Sequence, residues 1–440
     1  MKKIFLVALL CISSFATSNA QSYGLPPAGY FDMIIVFPPA ATPAYIEGIR
    51  SDFRAIQLNA TPTPITQARL WRMKIEGTYI DRTIIPAVSR SYSGASEGAD
   101  KVRGQTSGVG GGVLVEVNIP TQTPEGSFNT QNTGKKPIYS PVAISCKTPT
   151  DYQMAATDIG TSIVRVAILD TGLECDPQNV NFTHPYLREF VDAASSRSFL
   201  NNGWVNDKHG HGTAVASIIV RSFGGTSRSG NCKIIPIKVL DNDAKGNLFD
   251  LIQGIDHAIG RGVDIINISI VSPDKTTYSY KTPIQLALEK AAERNILVVS
   301  AAGNNNLNLD KPENALYTAC VKAKTHIVVG AAKCSDDKAS FSNYSPKYVD
   351  VFAPGVGISI WRLTWQGGDE VPLSDGSSFA APIVAGMAAV LRTQQTAPNA
   401  SALKCALLNG TVYNSIFSGY CSKSGVISAN QVRDAFRTCR

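Results

Sequence analysis

The sequence predicts an α/β fold built on a mostly parallel, buried sheet, and three observations lead there. After about residue 150, apolar β-branched segments alternate with stretches of helical periodicity, the order that builds a parallel sheet. Those strands are apolar on both faces, so the sheet must be covered on both sides. The chain before residue 150 differs in character and reads as a small α+β unit followed by a polar linker.

Taken in order, residues 1–20 read as a secretory signal. Lys2-Lys3 supply the positive start, Ile4 to Ile12 the apolar core, and Ser18-Asn19-Ala20 the small-residue cleavage site. The apolar core is too short to cross a bilayer, and no later segment is long and apolar enough. An uncleaved N-terminal core helix is the alternative, disfavoured by the charged, apolar, then small order. In residues 21–120 a strand covers Tyr30 to Phe37, and a helix entered through Thr42-Pro43 runs to about Arg54. Two more strands follow, Arg69 to Ile75 and Gly112 to Ile119. Between them, Pro86 to Gly112 holds seven glycines and five serines and reads as a surface loop. Residues 121–150 read as a linker with an exposed basic pair, Lys135-Lys136.

Residues 151–440 carry the alternating pattern. Strands are expected at Ile163–Leu169, Ile234–Leu240, Val263–Ile270, Ile296–Ala301, Ile327–Ala331 and Val349–Phe352. Helices are expected at His211–Arg221, Phe249–Arg261, Pro283–Asn295 and Ser378–Arg392. The third has a clear start, with Thr282 as cap, Pro283 first, and Gln285 three after the cap. In the fourth, Pro382 must lie in or near the first turn, which sets Ser378 at the helix's N-terminal edge.

Composition narrows the class. With 440 residues, 44% hydrophobic and 17% charged, the chain has material for a large core. A net charge of +7 is modest for this length, and no basic run interleaved with aromatics appears, so no nucleic-acid partner is expected. Beyond the signal, eight cysteines remain: Cys146, Cys175, Cys232, Cys320, Cys334, Cys405, Cys421 and Cys439. An even count in an exported chain favours disulfides over metal binding, since no C-x-x-C pair or Cys/His cluster is present. The short separations suggest Cys320/Cys334 and Cys405/Cys421.

In parallel sheets ligands bind beyond the carboxyl ends of the strands, so the residues that follow each strand matter most. Asp170-Thr171-Gly172 follows the first strand of this region, where the aspartate either points into the crevice or bonds its own turn. His209-Gly210-His211-Gly212-Thr213 opens a helix. Two histidines at i, i+2 hint at a metal, but no third ligand has suitable spacing. General-base work suits a histidine at a helix start, and His211 is preferred to His209 because it joins the helix directly beside Gly212-Thr213. Ala301-Ala302-Gly303-Asn304 ends a strand, and an amide there can donate to an oxyanion or simply be a polar turn. Ser378 either caps its helix or acts as nucleophile, with its own N–H at the helix's positive end. Each site is weak alone; together they gather nucleophile, base, orienting acid and oxyanion donor at one edge of the sheet.

The order Asp170, His211, Asn304, Ser378, with its surroundings, resembles the subtilisin-like serine proteases, including the proteinase K branch. Val166 to Gly172 resembles the family's aspartate motif and Gly210-His211-Gly212-Thr213 its histidine motif. Ile234 to Ile259, Ile266 to Ser269, Ala339 to Tyr344 and Ala353-Pro354-Gly355 are similar as well. The likeness covers roughly residues 155 to 410. It implies a three-layer subtilisin-like catalytic domain over 151–440, preceded by a signal peptide and a propeptide over 21–120. It implies Ser378 as nucleophile, His211 as general base and then acid, Asp170 as orienter, and Asn304 as oxyanion donor. Ser269, Ile270, Val271 and Gly303 would bind extended polypeptide substrate, and the propeptide would act as an intramolecular inhibitor until cut away. The protein would be an extracellular, monomeric endopeptidase with no membrane partner.

The chemistry so implied requires no cofactor and no catalytic metal. A structural calcium is compatible with the family, but Glu174 to His184 is longer than usual and ligands are not identifiable. Phe379 replaces the family's usual methionine, Val271 a glycine and Ala214 a histidine, changes that bear on specificity. Two other classes stand beside this one. A non-catalytic scaffold is disfavoured by the presence of all four groups. An esterase is disfavoured by the missing Gly-x-Ser-x-Gly elbow and by the chain order Asp, His, Ser.

Overall fold

The computed structural model describes residues 30–37, 41–52, 55–58, 68–74, 114–118 and 120–123, then 154–439 apart from 155, 177–180, 201–202, 226–228, 273–281, 334–336, 367–372 and 395–397. The signal at 1–20, the loop at 86–112, most of the linker including Lys135-Lys136, and Cys146 and Cys334 lie outside the described residues.

Three strands and a helix form where the N-terminal pattern predicts them. Strand β1 is Tyr30–Val36, helix α1 Pro43–Asp52, β2 Ile56–Gln57, β3 Ala68–Lys74 and β4 Leu114–Val117. They pair antiparallel in the order β2-β3-β1-β4. Strand β5, Pro120–Gln122, leaves this sheet and pairs antiparallel with β9, Lys245–Asn247, in the second region.

The central sheet is larger. Its strands are β6 Val164–Asp170, β7 Arg197–Ser198, β8 Cys232–Lys238, β10 Ile265–Ile268, β11 Leu297–Ala301, β12 His326–Lys333, β13 Asp337–Lys338, β14 Val351–Pro354, β17 Thr411–Tyr413 and β18 Gly425–Ile427. Among the described residues their order is β17-β18-β14-β12-β11-β10-β6-β8-β7, with β13 against β12. Every pair is parallel except β17 with β18 and β12 with β13. A small hairpin of β15, Ile358–Ser359, and β16, Leu373–Ser374, lies apart.

Alternation along β6 divides the core in two. Val164, Val166 and Ile168 face helices α2, His211–Phe223, and α5, Ser377–Arg392, in one buried cluster. Ala167 and Leu169 face α3, Leu248–Gly260, and α4, Pro283–Glu293, in the other. The expected three layers are therefore present. The second cluster also takes in Met33, Ile35 and Trp71, so the N-terminal sheet seats on the α3–α4 face. Thr282 caps α4 as its sequence predicts, accepting from Gln285 N at 3.3 Å.

Pro382 is the sixth residue of α5, near its first turn as expected, and the carbonyl it frees needs another donor, described below. Two expectations need correction. Cys405 bonds Cys439, not Cys421, because α6, Ala400–Asn409, packs against α7, Ala429–Phe436, and brings their Cα atoms to 5.7 Å. Cys320 is a thiol, not half of a bridge to Cys334; its sulfur accepts from Leu316 N in its own turn at 3.3 Å. Helices α6 and α7 and the strands β17 and β18 between them were not anticipated.

Candidate active site

Asp170 is the last residue of β6 and points its carboxylate beyond the strand end, where it is fully buried. Its Oδ1 lies 2.8 Å from His211 Nδ1 and also accepts from Thr171 N at 2.7 Å. An imidazole nitrogen facing a carboxylate carries the proton, so the other ring nitrogen is the one able to accept.

His211 is the first residue of α2, behind Gly210 at φ 98°. Residues overlooked in the sequence fix that helix end. Asp207 Oδ1 accepts from His209 N, Gly210 N and Thr171 Oγ1 at 3.0, 2.7 and 3.0 Å. Its Oδ2 accepts from Thr213 N and Thr213 Oγ1 at 2.9 and 2.8 Å. One buried carboxylate thus ties the histidine's helix to the aspartate's turn, and Gly212 N completes the tie to Thr171 Oγ1 at 2.9 Å. A side chain at Gly212 would overlap Gly172 O, so the start of α2 and the turn after β6 approach backbone to backbone. Lys238, buried beside this cluster, donates to Thr171 O; burial pulls its pKa down while Asp207, Asp241 and Asp170 pull the other way. His209 is held below the usual histidine value by burial first and by His211 second.

Ser378 is the second residue of α5. The cap position belongs to Gly376, and Ser378 Oγ makes no hydrogen bond, so the hydroxyl is not used as a cap. Catalytic hydrogen bonds commonly tighten only when substrate is present. The imidazole of His211 packs on Phe379, with ring centroids 5.5 Å apart and an interplanar angle of 40°. The phenylalanine ring, fully buried, therefore packs directly against the His211 imidazole.

The carbonyl of Ser378 is the one that Pro382 cannot bond, since proline lacks an N–H. Ser269 Oγ takes that place at 2.9 Å and in turn accepts from Asn267 Nδ2 at 3.0 Å. The kink-prone proline thus couples the serine's helix to the segment that follows β10.

Asn304 follows β11 at the same edge. Its Oδ1 accepts from Ser377 N at 2.9 Å and Ser377 Oγ at 2.8 Å, which fixes the direction of the amide. Nδ2 then faces away, buried and without a partner. A buried donor left unmade is costly in a settled core, roughly 1–3 kcal/mol, and is expected where a ligand atom supplies the acceptor. Ser377 is a second residue that sequence reasoning passed over. The hint was there: a second hydroxyl beside Ser378 at the start of the helix.

The four residues expected to line the substrate fall into two groups. Val271 exchanges both backbone hydrogen bonds with Gln122, each at 2.9 Å, so it pairs with extended chain. Thr121 lies opposite Gly246 on the other side, so β5 is sandwiched between β9 and Val271. Ile270 O is held from behind by Thr318 Oγ1 at 3.0 Å; Thr318 has φ 70°, a strained value for a β-branched residue. Ser269 serves the helix of Ser378 as above. Gly303, at φ 98°, already has both backbone groups bonded, its N–H to Ser377 Oγ at 3.0 Å and its carbonyl to Asn343 N at 2.9 Å.

No group of three or more His, Cys, Asp or Glu residues able to hold a metal occurs among the described residues, and 177–180 of the long segment after Glu174 lie outside them. No described helix is long and apolar enough to cross a membrane.

A model of the subtilase family matches residues 161–425. A thermostable alkaline protease of Halalkalibacterium halodurans is 34% identical over 234 residues, 52% of this chain and 57% of that protein. A thermophilic serine proteinase of Bacillus sp. strain AK1 is 34% identical over 252 residues, 56% of each chain. Subtilisin BL of Lederbergia lenta is 31% identical over 237 residues, 52% of this chain and 76% of that one. The match thus spans little more than half the length of the first two relatives.

Proposed function

The chain belongs to the subtilase family, and we propose that it is a serine endopeptidase whose Ser378 forms an acyl-enzyme with the substrate. One observation carries the reading above others: a fully buried Asp170–His211 pair at 2.8 Å beside a helix-start serine that caps nothing. Ser378 Oγ adds to the scissile carbonyl while His211 Nε2 takes its proton, and Asp170 holds Nδ1–H and steadies the cation that forms. The new oxyanion accepts from Asn304 Nδ2 and from the Ser378 N–H, which lies in the helix's first turn where no helical acceptor exists. His211 next protonates the leaving amine, and water attacks the ester by the same route in reverse. These steps use side chains, one backbone N–H and water.

The same reading makes the protein an exported proenzyme, and the position of β5 supports it. Segment Pro120–Gln122 lies where an extended substrate would pair, between β9 and Val271, so the chain's own N-terminal region covers the cleft. Chain segments that add a strand to a site in this way bind through backbone hydrogen bonds.

The test is peptide hydrolysis with active-site labelling. Wild type should react with a serine-directed phosphonate and cleave peptide substrates, and Ser378→Ala should do neither and leave its own N-terminal region uncut. His211→Ala should be inactive while His209→Ala keeps most activity. Peptide turnover by Ser378→Ala at the wild-type rate would end this assignment.

A further inference from the structure

Asn343 stands outside the four groups above, after β13, and is fully buried. Its hydrogen-bonding groups reach the turn that carries Asn304 from both sides. The backbone N–H donates to Gly303 O at 2.9 Å, and side-chain Nδ2 donates to Ala302 O at 2.9 Å. Side-chain Oδ1 accepts from Asn305 N at 3.0 Å and from Leu307 N at 2.9 Å. Four bonds from one residue therefore bracket Asn304 at 302, 303, 305 and 307. The fit is close as well, since a Cβ on Gly303 would overlap Asn343 Nδ2.

The turn needs such a brace. Asn306 within it sits at φ 53°, outside the backbone regions that side-chain-bearing residues prefer. Its N–H is held by Phe341 O at 2.6 Å and its Oδ1 by Lys338 Nζ at 2.8 Å. Ser377 decides which way the Asn304 amide faces and also holds the Gly303 N–H, at 3.0 Å, on the near side of the turn. From Asn305 onward the backbone is held from the 341–343 side.

We propose that Asn343 is a positioning residue for hydrolysis: its buried amide holds residues 302–307 so that Asn304 Nδ2 stands where the negative oxygen develops. This rests on the peptidase reading and acts through Asn304, with no contact to substrate. Losing an oxyanion donor outright costs about 10²–10³-fold in kcat, and a 1 Å misplacement about 10²-fold. Asn343→Ala should therefore lower kcat about 10- to 100-fold with KM nearly unchanged.

The experiment measures kcat per phosphonate-titrated site, and affinity for a peptide boronate that forms a tetrahedral adduct on serine. Asn343→Ala is made in the wild-type and Asn304→Ala backgrounds. Asn343→Asp is made in both as well, because it keeps the two acceptor bonds and loses the donor to Ala302 O, and so serves if alanine prevents folding. The expected result is a parallel fall in kcat and boronate affinity in the wild-type background, and little further loss once Asn304 is alanine. Equal losses in both backgrounds, or a loss confined to the number of titratable sites, would overturn the proposal while leaving the peptidase reading intact. A wild-type protein that neither reacts with phosphonate nor cleaves peptides would remove both.

Discussion

Gly386 marks the point where the helices that begin near His211 and Ser378 touch, and Gly386→Ala tests whether that contact sets their spacing. A Cβ there would lie closer than 3.0 Å to Ser222 Cβ on α2 and 3.1 Å from Ile219 O. Carbon atoms prefer about 3.5–4.0 Å, so α2 and α5 would have to separate by more than about 1 Å or repack. Helix propensity pulls the other way, since alanine in a helix interior is favoured over glycine by about 1 kcal/mol. Overpacking a close contact costs about 1–3 kcal/mol, so the net expectation is destabilisation of up to about 2 kcal/mol and a melting temperature lower by up to roughly 4–8 °C. The site should feel it, because His211 and Ser378 begin these same helices, Ser378 about 12 Å along α5 from Gly386. Calorimetry in a Ser378→Ala background avoids self-digestion, and kcat is read in the active protein. Adding Ser222→Gly removes the opposing Cβ, and Gly386→Ala should then become neutral or stabilising. A single Gly386→Ala variant that melts higher than wild type would refute the contact argument.

Three further outcomes are expected. Ser377→Ala should lower kcat about tenfold with little change in KM, since Asn304 Oδ1 keeps only the residue 377 N–H as donor and the amide gains freedom to turn; unchanged kcat would show that Ser377 does not orient the amide. Cys405→Ser should cost up to about 4 kcal/mol by the loop-closure estimate for a separation of 34 residues, visible as a lower urea midpoint under non-reducing conditions and absent when wild type is reduced. Acid should destabilise the fold, because burial pushes both His184 and His326 down to about 4 from an ordinary 6.5. A neutral buried histidine leaves the unfolded chain to take up the proton, so stability is full above about pH 6.5, falls as pH drops toward 4, and levels off below. The loss is about 3 kcal/mol for each histidine. In the Ser378→Ala background His326→Asn should flatten the difference between urea midpoints at pH 7.5 and 4.5; a wild-type midpoint that is the same at both would contradict the buried-histidine account.

Much of this was legible in order along the chain. The strands β6, β8, β10, β11, β12 and β14 declared themselves because a strand buried on both faces must be apolar throughout, and that shows in one dimension. The Thr282-Pro283 start of α4 is chemistry among adjacent residues and was equally visible. Misreadings fell where local rules gave way to packing. Short separation suggested Cys405 with Cys421, yet the docking of α6 on α7 delivered Cys439 instead. Pro382 lies just past the first turn, where a proline strands a carbonyl, and Ser269, more than a hundred residues earlier in the chain, supplies the missing donor, which no local rule could name.

By itself the sequence determined the layered α/β architecture and singled out Asp170, His211, Asn304 and Ser378 as candidates, because periodicity and residue chemistry are properties of the linear chain. Only the tertiary structure decided what holds those groups in place. Asp207, Ser377 and Asn343 are ordinary polar residues in sequence, and they acquire meaning from burial, which leaves each of them few partners and fixes the direction of every bond they make.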